Sequence, residues 1–336
     1  MVAISWAVIR CKAGAIALAA SLGVTLGSYA SPAVSAQSGA YPSKAITVIN
    51  PWTAGGASDA IARPLLQRMS EVIGQSVILE NMPGANGTIG AAKAARANPD
   101  GYTLFLAHVG PMAISPALQE LPYNPIRDFE PITQIVSSPI VLVSRPDLKF
   151  TSVNDLLNYA RAHPGKLSYG SVGVGSTTHL AGEMLAQLGK VSLLHVPYKG
   201  DSQISTDLIG GQIEFAFINI AAAMSLMKDG RVTGLAITTL KRSSVLPELP
   251  TVAETLPGFE VNSWYGMVAP KGTPKPIIDK LYTTLHGILM EPETKSRLQG
   301  MGLEAEGTTP GDYASKIKQD SERWAKLVKS VGVSLK

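Results

Sequence analysis

The sequence predicts an α/β protein of two lobes, each an open, mainly parallel sheet with flanking helices, and a ligand cleft between them. Two observations predict it. From Tyr41 onward, short apolar runs alternate with amphipathic segments in strand–helix order. That alternation is made twice and is followed by a tail in which only helices are evident. At 336 residues the chain is long enough to bury two cores of ordinary domain size.

In the first series, residues 46–50 read as a strand and 51–56 as a loop. A helix capped by Ser58 or Asp59 then runs to about Ile73, where Gly74 closes it. Residues 76–80 are a second strand, 81–87 a loop and 88–97 a helix. Asn98-Pro-Asp-Gly101 is a turn signal, and 102–107 a third strand. This βαβαβ order belongs to a parallel sheet. The second series begins with a strand at 140–144 and a helix at 152–162, stopped by His163-Pro-Gly165. A strand at 167–170, a loop at 171–176 and a helix at 177–188 follow. Short strands at 193–196, 213–217 and 234–238 alternate with helices at 202–209 and 221–228. Residues 246–254 form a loop leading into a short helix, and 264–269 are extended. Helices at 274–290, 291–301 and 312–331 make the tail, which most simply packs back on the first lobe. The lobes are therefore 42–139 plus about 250–336, and 140–249, with two crossings between them.

The first residues read as a targeting segment. Arg10 and Lys12 are the only charges before Lys44, and they precede a weakly hydrophobic run at 13–26 broken by glycines. Val34-Ser35-Ala36 supplies a small-x-small cleavage site. Together these describe a secretory signal peptide over residues 1–36, and the run is short of the ~20 residues that span a bilayer. Removing it takes two positive charges from a formal +4, leaving +2, and it also removes Cys11, the single cysteine. Only 16% of residues are charged, and lysines and arginines are scattered, with no run to track a phosphate backbone, so nucleic acid is not an expected partner.

Ligands of open α/β sheets sit at the carboxyl ends of strands. The first strand ends in a loop of Trp52, Thr53, Ala54, Gly55, Gly56 and Ser58. Its glycines let backbone pass close to a ligand, and the helix start after it presents unpaired N–H groups. Such groups, with the helix dipole, attract a carboxylate. A tight βα turn that binds nothing has the same pattern. The second lobe repeats the device around Val172, where Gly173 and Gly175 free the backbone and Ser176, Thr177 and Thr178 supply hydroxyls. Neither loop is a Walker motif or a dinucleotide fingerprint. Other strand ends carry His108, Val109 and Gly110, then Tyr198 and Gly200, and then Asn219. The pair of loops suits a ligand with one or two carboxylates, and Trp52 offers a ring for its apolar part. The histidines form no metal-ligand spacing, and the sequence holds no Gly-x-Ser-x-Gly elbow; no catalysis, metal or cofactor is expected.

These same residues carry a family resemblance. Tyr41-Pro-Ser-Lys, Pro51-Trp-Thr-Ala-Gly-Gly, Glu80-Asn-Met-Pro-Gly-Ala-Asn-Gly and Asp100-Gly-Tyr-Thr-Leu occur in order. Ser176-Thr-Thr-His-Leu-Ala-Gly-Glu183, His195-Val-Pro-Tyr-Lys-Gly200, Leu249-Pro-Thr-Val-Ala-Glu254 and Trp264-Tyr-Gly complete the set. The chain resembles the Bug-type periplasmic receptors of tripartite tricarboxylate transporters along essentially the whole mature length. The resemblance implies a type II Venus-flytrap fold, a periplasmic location, a monomer, and delivery of a small organic acid to membrane permease subunits. It implies that the loops matching Trp52–Ser58 and Gly173–Thr178 grip a carboxylate. The loops matching His108–Gly110, Tyr198–Gly200 and Phe217–Asn219, including Phe217 itself, complete the pocket. Members often place an aspartate before the asparagine matching Asn219, where this chain has Ile218. Loss of that carboxylate, with Trp52 as an aromatic face, favours a dicarboxylate or an aromatic carboxylate over an amino acid. A ligand sensor presenting the bound acid to a signalling partner would use the same fold.

Overall fold

The computed structural model describes residues 41–332 apart from residue 199; the signal segment read over 1–36 lies outside the described residues. The first series forms β1 (Ile46–Asn50), α1 (Ala57–Ile73), β2 (Val77–Asn81), α2 (Thr88–Ala95) and β3 (Thr103–His108). β1 pairs in parallel with both β2 and β3, as the βαβαβ order predicts. Ile61, Ala62, Leu65, Leu66 and Met69 recur at helical spacing on α1 and bury against Ile46, Val48, Leu104 and Leu106 of the sheet. Gly74 closes the helix in the left-handed conformation. The cap differs from expectation: it is Gly56, with no side-chain bond, and Ser58 and Asp59 lie inside the first turn. Asn50 at the end of β1 holds both side chains, and Asp59 also reaches back to the N–H of Gly55, one residue before the cap.

A π-helical turn at Gly110–Ile114 leads into the short α3 (Ser115–Leu118). The next strand is longer than the 140–144 that the sequence suggests. β4 runs from Phe129 to Ser144, 16 residues, and carries Pro131 and Pro139 within it. Prolines argue against a central strand; here Pro131 stands at a shift in register against its partner strand.

The second series gives α4 (Val153–Ala162), β5 (Ser168–Ser171), α5 (Thr177–Gly189), β6 (Leu194–Pro197) and α6 (Asp201–Ile209). Then come β7 (Phe215–Asn219), α7 (Ile220–Lys228) and β8 (Thr233–Ile237). β5 is parallel to β6 and β7, whereas β7 and β8 run antiparallel to the distal half of β4. A capping box of Thr251 and Glu254 opens α8 (Val252–Thr255). The extended segment at 264–269 is the middle of β9 (Asn262–Pro270), which inserts antiparallel between β3 and the proximal half of β4. α9 (Lys275–Met290), α10 (Pro292–Gly300), the two-residue β10 (Glu304–Ala305) on β4, and α11 (Pro310–Val331) complete the chain. The strand path is β2-β1-β3-β9-β4-β7-β5-β6, so one continuous strand, β4, joins the two series.

The tail is tied to that junction. The fully buried Trp264 of β9 donates its indole N–H to Asp320 of α11 at 2.7 Å, and Tyr313 and Trp324 bury beside it. On the other series, α5 approaches β5 closely because Gly182 has no side chain. A Cβ there would stand 2.0 Å from the Tyr169 ring. Gly182→Ala is expected to cost about 1–3 kcal/mol of stability through overpacking. Chemical denaturation checks it, and a loss below about 0.5 kcal/mol would show that the ring yields.

Candidate functional site

Six loops follow the carboxyl ends of β1, β2, β3, β5, β6 and β7, and they converge on a cavity of about 230 Å³. That is room for on the order of eight waters, the bulk of a short-chain acid rather than a nucleotide. Trp52, Thr53, Gly56 and Ser58 line it from the first loop, and His108 from the end of β3. Val172, Thr177, Thr178, Gly200 and Asn219 line it from the second series. The remaining expected residues lie outside the lining. Val109 and Phe217 are core, and Ser176 caps α5 by accepting the N–H of His179. Tyr198 donates its hydroxyl to Asp207 at 2.8 Å, and Gly110 donates its N–H to His108.

The glycines of the two loops are needed for a reason other than close approach to a ligand. Gly55, Gly173 and Gly175 have φ of 83°, 116° and 74°, the left-handed region that disfavours side chains. A Cβ at Gly55 would meet nothing within 4 Å. Their N–H groups are already used: Gly55 donates to Asp59 at 3.0 Å, Gly173 to Ser171 at 3.1 Å and Gly175 to His179 Nδ1 at 3.1 Å. Ala54 and Gly55 edge a separate shallow groove with Arg63 and Pro64. What the loops leave to the cavity are first-turn N–H groups, those of Ala57 and Ser58 in α1 and of Thr177 and Thr178 in α5. Helix geometry gives these no intrahelical acceptor.

Asp59 is the brace of the first loop. Its Oδ1 accepts from Asn50 Nδ2 and Asn81 Nδ2, each at 2.8 Å, and its Oδ2 from Gly55 N and from Arg63 Nη2 at 2.8 Å. Burial opposes its ionisation, but the bonds from Gly55, Asn81 and Arg63 prevail and hold the pKa below the ordinary carboxylate value. Asn50 Nδ2 also donates to Ser58 Oγ at 3.0 Å, so the Ser58 hydroxyl takes a proton from behind and keeps its own to donate.

Ser263 is set up in the same way. Because Gly110 N–H points at His108 Nδ1, that nitrogen is the acceptor and the ring proton sits on Nε2. Nε2 then donates to Ser263 Oγ at 2.8 Å, leaving the serine proton to the cavity. Trp52 and Tyr265 flank the imidazole with ring centroids 5.1 and 4.7 Å away, an aromatic wall. The Trp52 indole N–H is buried and has no partner among the described residues.

The sequence reading missed Ala57, Asn86, Ile140, Asp201, Ser263 and Tyr265, all of which line the cavity. Ser263 and Tyr265 arrive on β9 and Ile140 on β4, strands whose position depends on pairing across the whole chain. Asp201 overturns one inference. With Ile218 ahead of Asn219, the anion site reads as lacking a carboxylate, but Ile218 is fully buried in core and Asp201 supplies one. Its signal was an acidic residue at the helix start after Gly200. Burial raises the Asp201 pKa, against the hydrogen bonds from Asn219. Among the described residues no three potential metal ligands cluster together.

Behind the second loop, His179 and His195 lie with ring centroids 4.0 Å apart, and His195 Nε2 is 2.7 Å from Ser171 Oγ. Burial pushes the pKa of His108 down to about 3 and those of His179 and His195 to about 4, with neighbouring His179 adding to the effect on His195.

A cleft at the carboxyl ends of two strand series, walled by neutral donors, defines a solute-binding protein of the periplasmic class. The model of the family described as the tripartite tricarboxylate transporter family receptor matches residues 61–333, and the chain belongs to that family. The solved periplasmic binding protein BugD is 38% identical, with a TM-score of 0.77 over 88% of this chain and 99% of its own. Rpa4515 of R. palustris, solved with adipate, is 36% identical with a TM-score of 0.81 over 88% and 99%. MatC of Rhodopseudomonas palustris, solved with bound malate, is 32% identical with a TM-score of 0.77 over 86% and 100%.

A histidine held neutral by the fold, but with an ordinary pKa of about 6.5 once unfolded, gains its proton on unfolding. Folded pKa values depressed to about 3–4 therefore place full stability above about pH 6.5 and a loss as the pH falls towards about 4. The thermal midpoint of the ligand-free protein should decline through this interval; a midpoint level from pH 6.5 to 4.5 would contradict neutral, buried rings.

Proposed function

We propose that this cavity binds a small organic dicarboxylate and that the protein hands it to the permease subunits of a tripartite transporter. The observation that carries the reading is the buried, unpartnered indole N–H of Trp52 in a cavity wall rich in donors. Ser58 and Ser263 each accept a hydrogen bond from within the protein and keep a hydroxyl proton to give. The first-turn N–H groups of α1 and α5 add their helix ends. Among the described residues lining the cavity, none is lysine or arginine, so a carboxylate is met by neutral donors in a fixed arrangement. The similar proteins solved with adipate and with malate hold dicarboxylates, which supports the same class here. An aromatic carboxylate is the second reading, favoured by the wall of Trp52, His108 and Tyr265.

In this reading the two strand series act as lobes that close on the ligand. β4 and the segment entering β9 are the two crossings. Binding occurs without turnover, and the acid is recovered unchanged.

Calorimetry on the mature protein with four- to six-carbon dicarboxylates, benzoates and amino acids tests the ligand class. One of the first two classes is expected to bind, and Trp52→Phe, which keeps a ring but deletes the donor, is expected to weaken that binding about tenfold. Binding by unsubstituted amino acids alone, or equal affinity in the variant, would overturn the assignment. The family also supports a periplasmic location, reached through the signal segment. Intact mass of protein recovered from a periplasmic extract should place the new N-terminus at Gln37; retention of residues 1–36 would remove the signal-peptide reading.

A further inference from the structure

We propose that Asp201 selects the ligand, its second carboxylate oxygen accepting a hydrogen bond from a hydroxyl or ammonium group carried on the acid's carbon skeleton. The proposal rests on the reading of the cavity as the ligand site and names a feature of the molecule that fits it. Asp201 is the first residue of the nine-residue α6 and lines the cavity beside Gly200 and Asn219. Its Oδ2 accepts from Asn219 Nδ2 at 2.6 Å. Its Oδ1 is buried and has no hydrogen-bond partner among the described residues.

An ionised carboxylate only accepts hydrogen bonds. Asn219 must therefore turn its Nδ2 to Asp201, which leaves the amide oxygen as a second acceptor beside Oδ1. The bond from Asn219 and the start of α6 favour the charged form, against the burial that raises the pKa of this carboxyl. This part of the cavity thus offers acceptors, where the loops after β1 and β5 offer donors. A ligand carboxylate cannot satisfy Oδ1, because two acceptor oxygens repel. A hydroxyl or ammonium group can, and it relieves the desolvation of a buried, half-partnered charge. Bare dicarboxylates leave that oxygen orphaned, so substituted acids gain at their expense.

The test is calorimetry with two series, each on one skeleton: succinate, malate and aspartate, then adipate, 2-hydroxyadipate and 2-aminoadipate. The expected result is that, in at least one series, the hydroxy or amino acid binds about tenfold or more tightly than the bare acid. Asp201→Asn, with its fold checked by circular dichroism, should bring that ratio to within about threefold while bare-acid affinity holds or rises. The relative strength of the hydroxy and amino members tells the two donors apart. Equal wild-type affinity across every series that binds would overturn this proposal and leave the ligand site standing. So would a substituent preference that persists in Asp201→Asn. Tighter binding of the bare acid, kept in the variant, would mean that position 201 donates a proton instead, and also overturns it. No heat from any of the six acids would sink the dicarboxylate reading and this proposal together. Because the wild-type ratio needs no variant, the proposal stays open to refutation even if Asp201→Asn fails to fold.

Discussion

Five hydrogen-bond donors from four residues in different places converge on the buried carboxylate of Asp59, and the geometry of the first loop follows from that convergence. Asn50 ends β1, Asn81 ends β2, Gly55 sits at the loop tip and Arg63 lies one turn along α1. Oδ1 takes two of these bonds, and Oδ2 takes the Gly55 N–H together with the adjacent Nε and Nη2 of the Arg63 fork. The charge is kept inside only because it is so fully bonded. With the loop drawn inward onto Asp59, Trp52 is held by Asn81, which donates to its carbonyl at 3.0 Å, and the indole is placed at the cavity wall. The cost of burying an acid is thereby converted into a fixed direction for neutral donors.

The second loop reaches the same end by other means. His179 and Ser171 take up the Gly175 and Gly173 N–H groups, and Thr178 Oγ1 takes that of Val172 at 3.0 Å. Imidazoles kept neutral by burial can accept in this way; a protonated ring could not. On both sides the backbone amides nearest the glycines stabilise the loop itself, and what faces the cavity is the next layer: helix-start amides, hydroxyl protons and one indole. Such groups need no reorganisation when a charged ligand arrives.

How far all this was legible in the sequence differs from element to element. The outer strands and their helices declare themselves through local alternation, and every helix of the tail falls within a few residues of its expected bounds. β4 did not, because Pro131 and Pro139 interrupt a run whose strand character comes from pairing with β9 and β7. The loops were recognisable from glycine and hydroxyl residues, but which N–H groups remain available was not. That depends on acceptors such as Asp59 and His179, whose orientation only the folded chain sets. Asp201 illustrates the same limit. Its neighbour Asn219 is 18 positions away in sequence and is brought alongside by β7 following α6.

The junction between the two series is a ribbon, not a pair of loose linkers. β4 and β9 are hydrogen-bonded from Phe129 opposite Pro270 to Pro139 opposite Asn262, and β4 then continues unbroken into the other series. In the proposed closure, rotating one series against the other bends β4 where its partner changes from β9 at Pro139 to β7 at Ile140, and this continuous strand acts as a spring with its own rest angle. The elastic work of leaving that angle is drawn from the contact energy of whatever fills the cavity. Substitutions along the ribbon at positions other than Ser263 and Tyr265, which line the cavity, would therefore retune affinity by changing the stiffness or the rest angle of the spring alone.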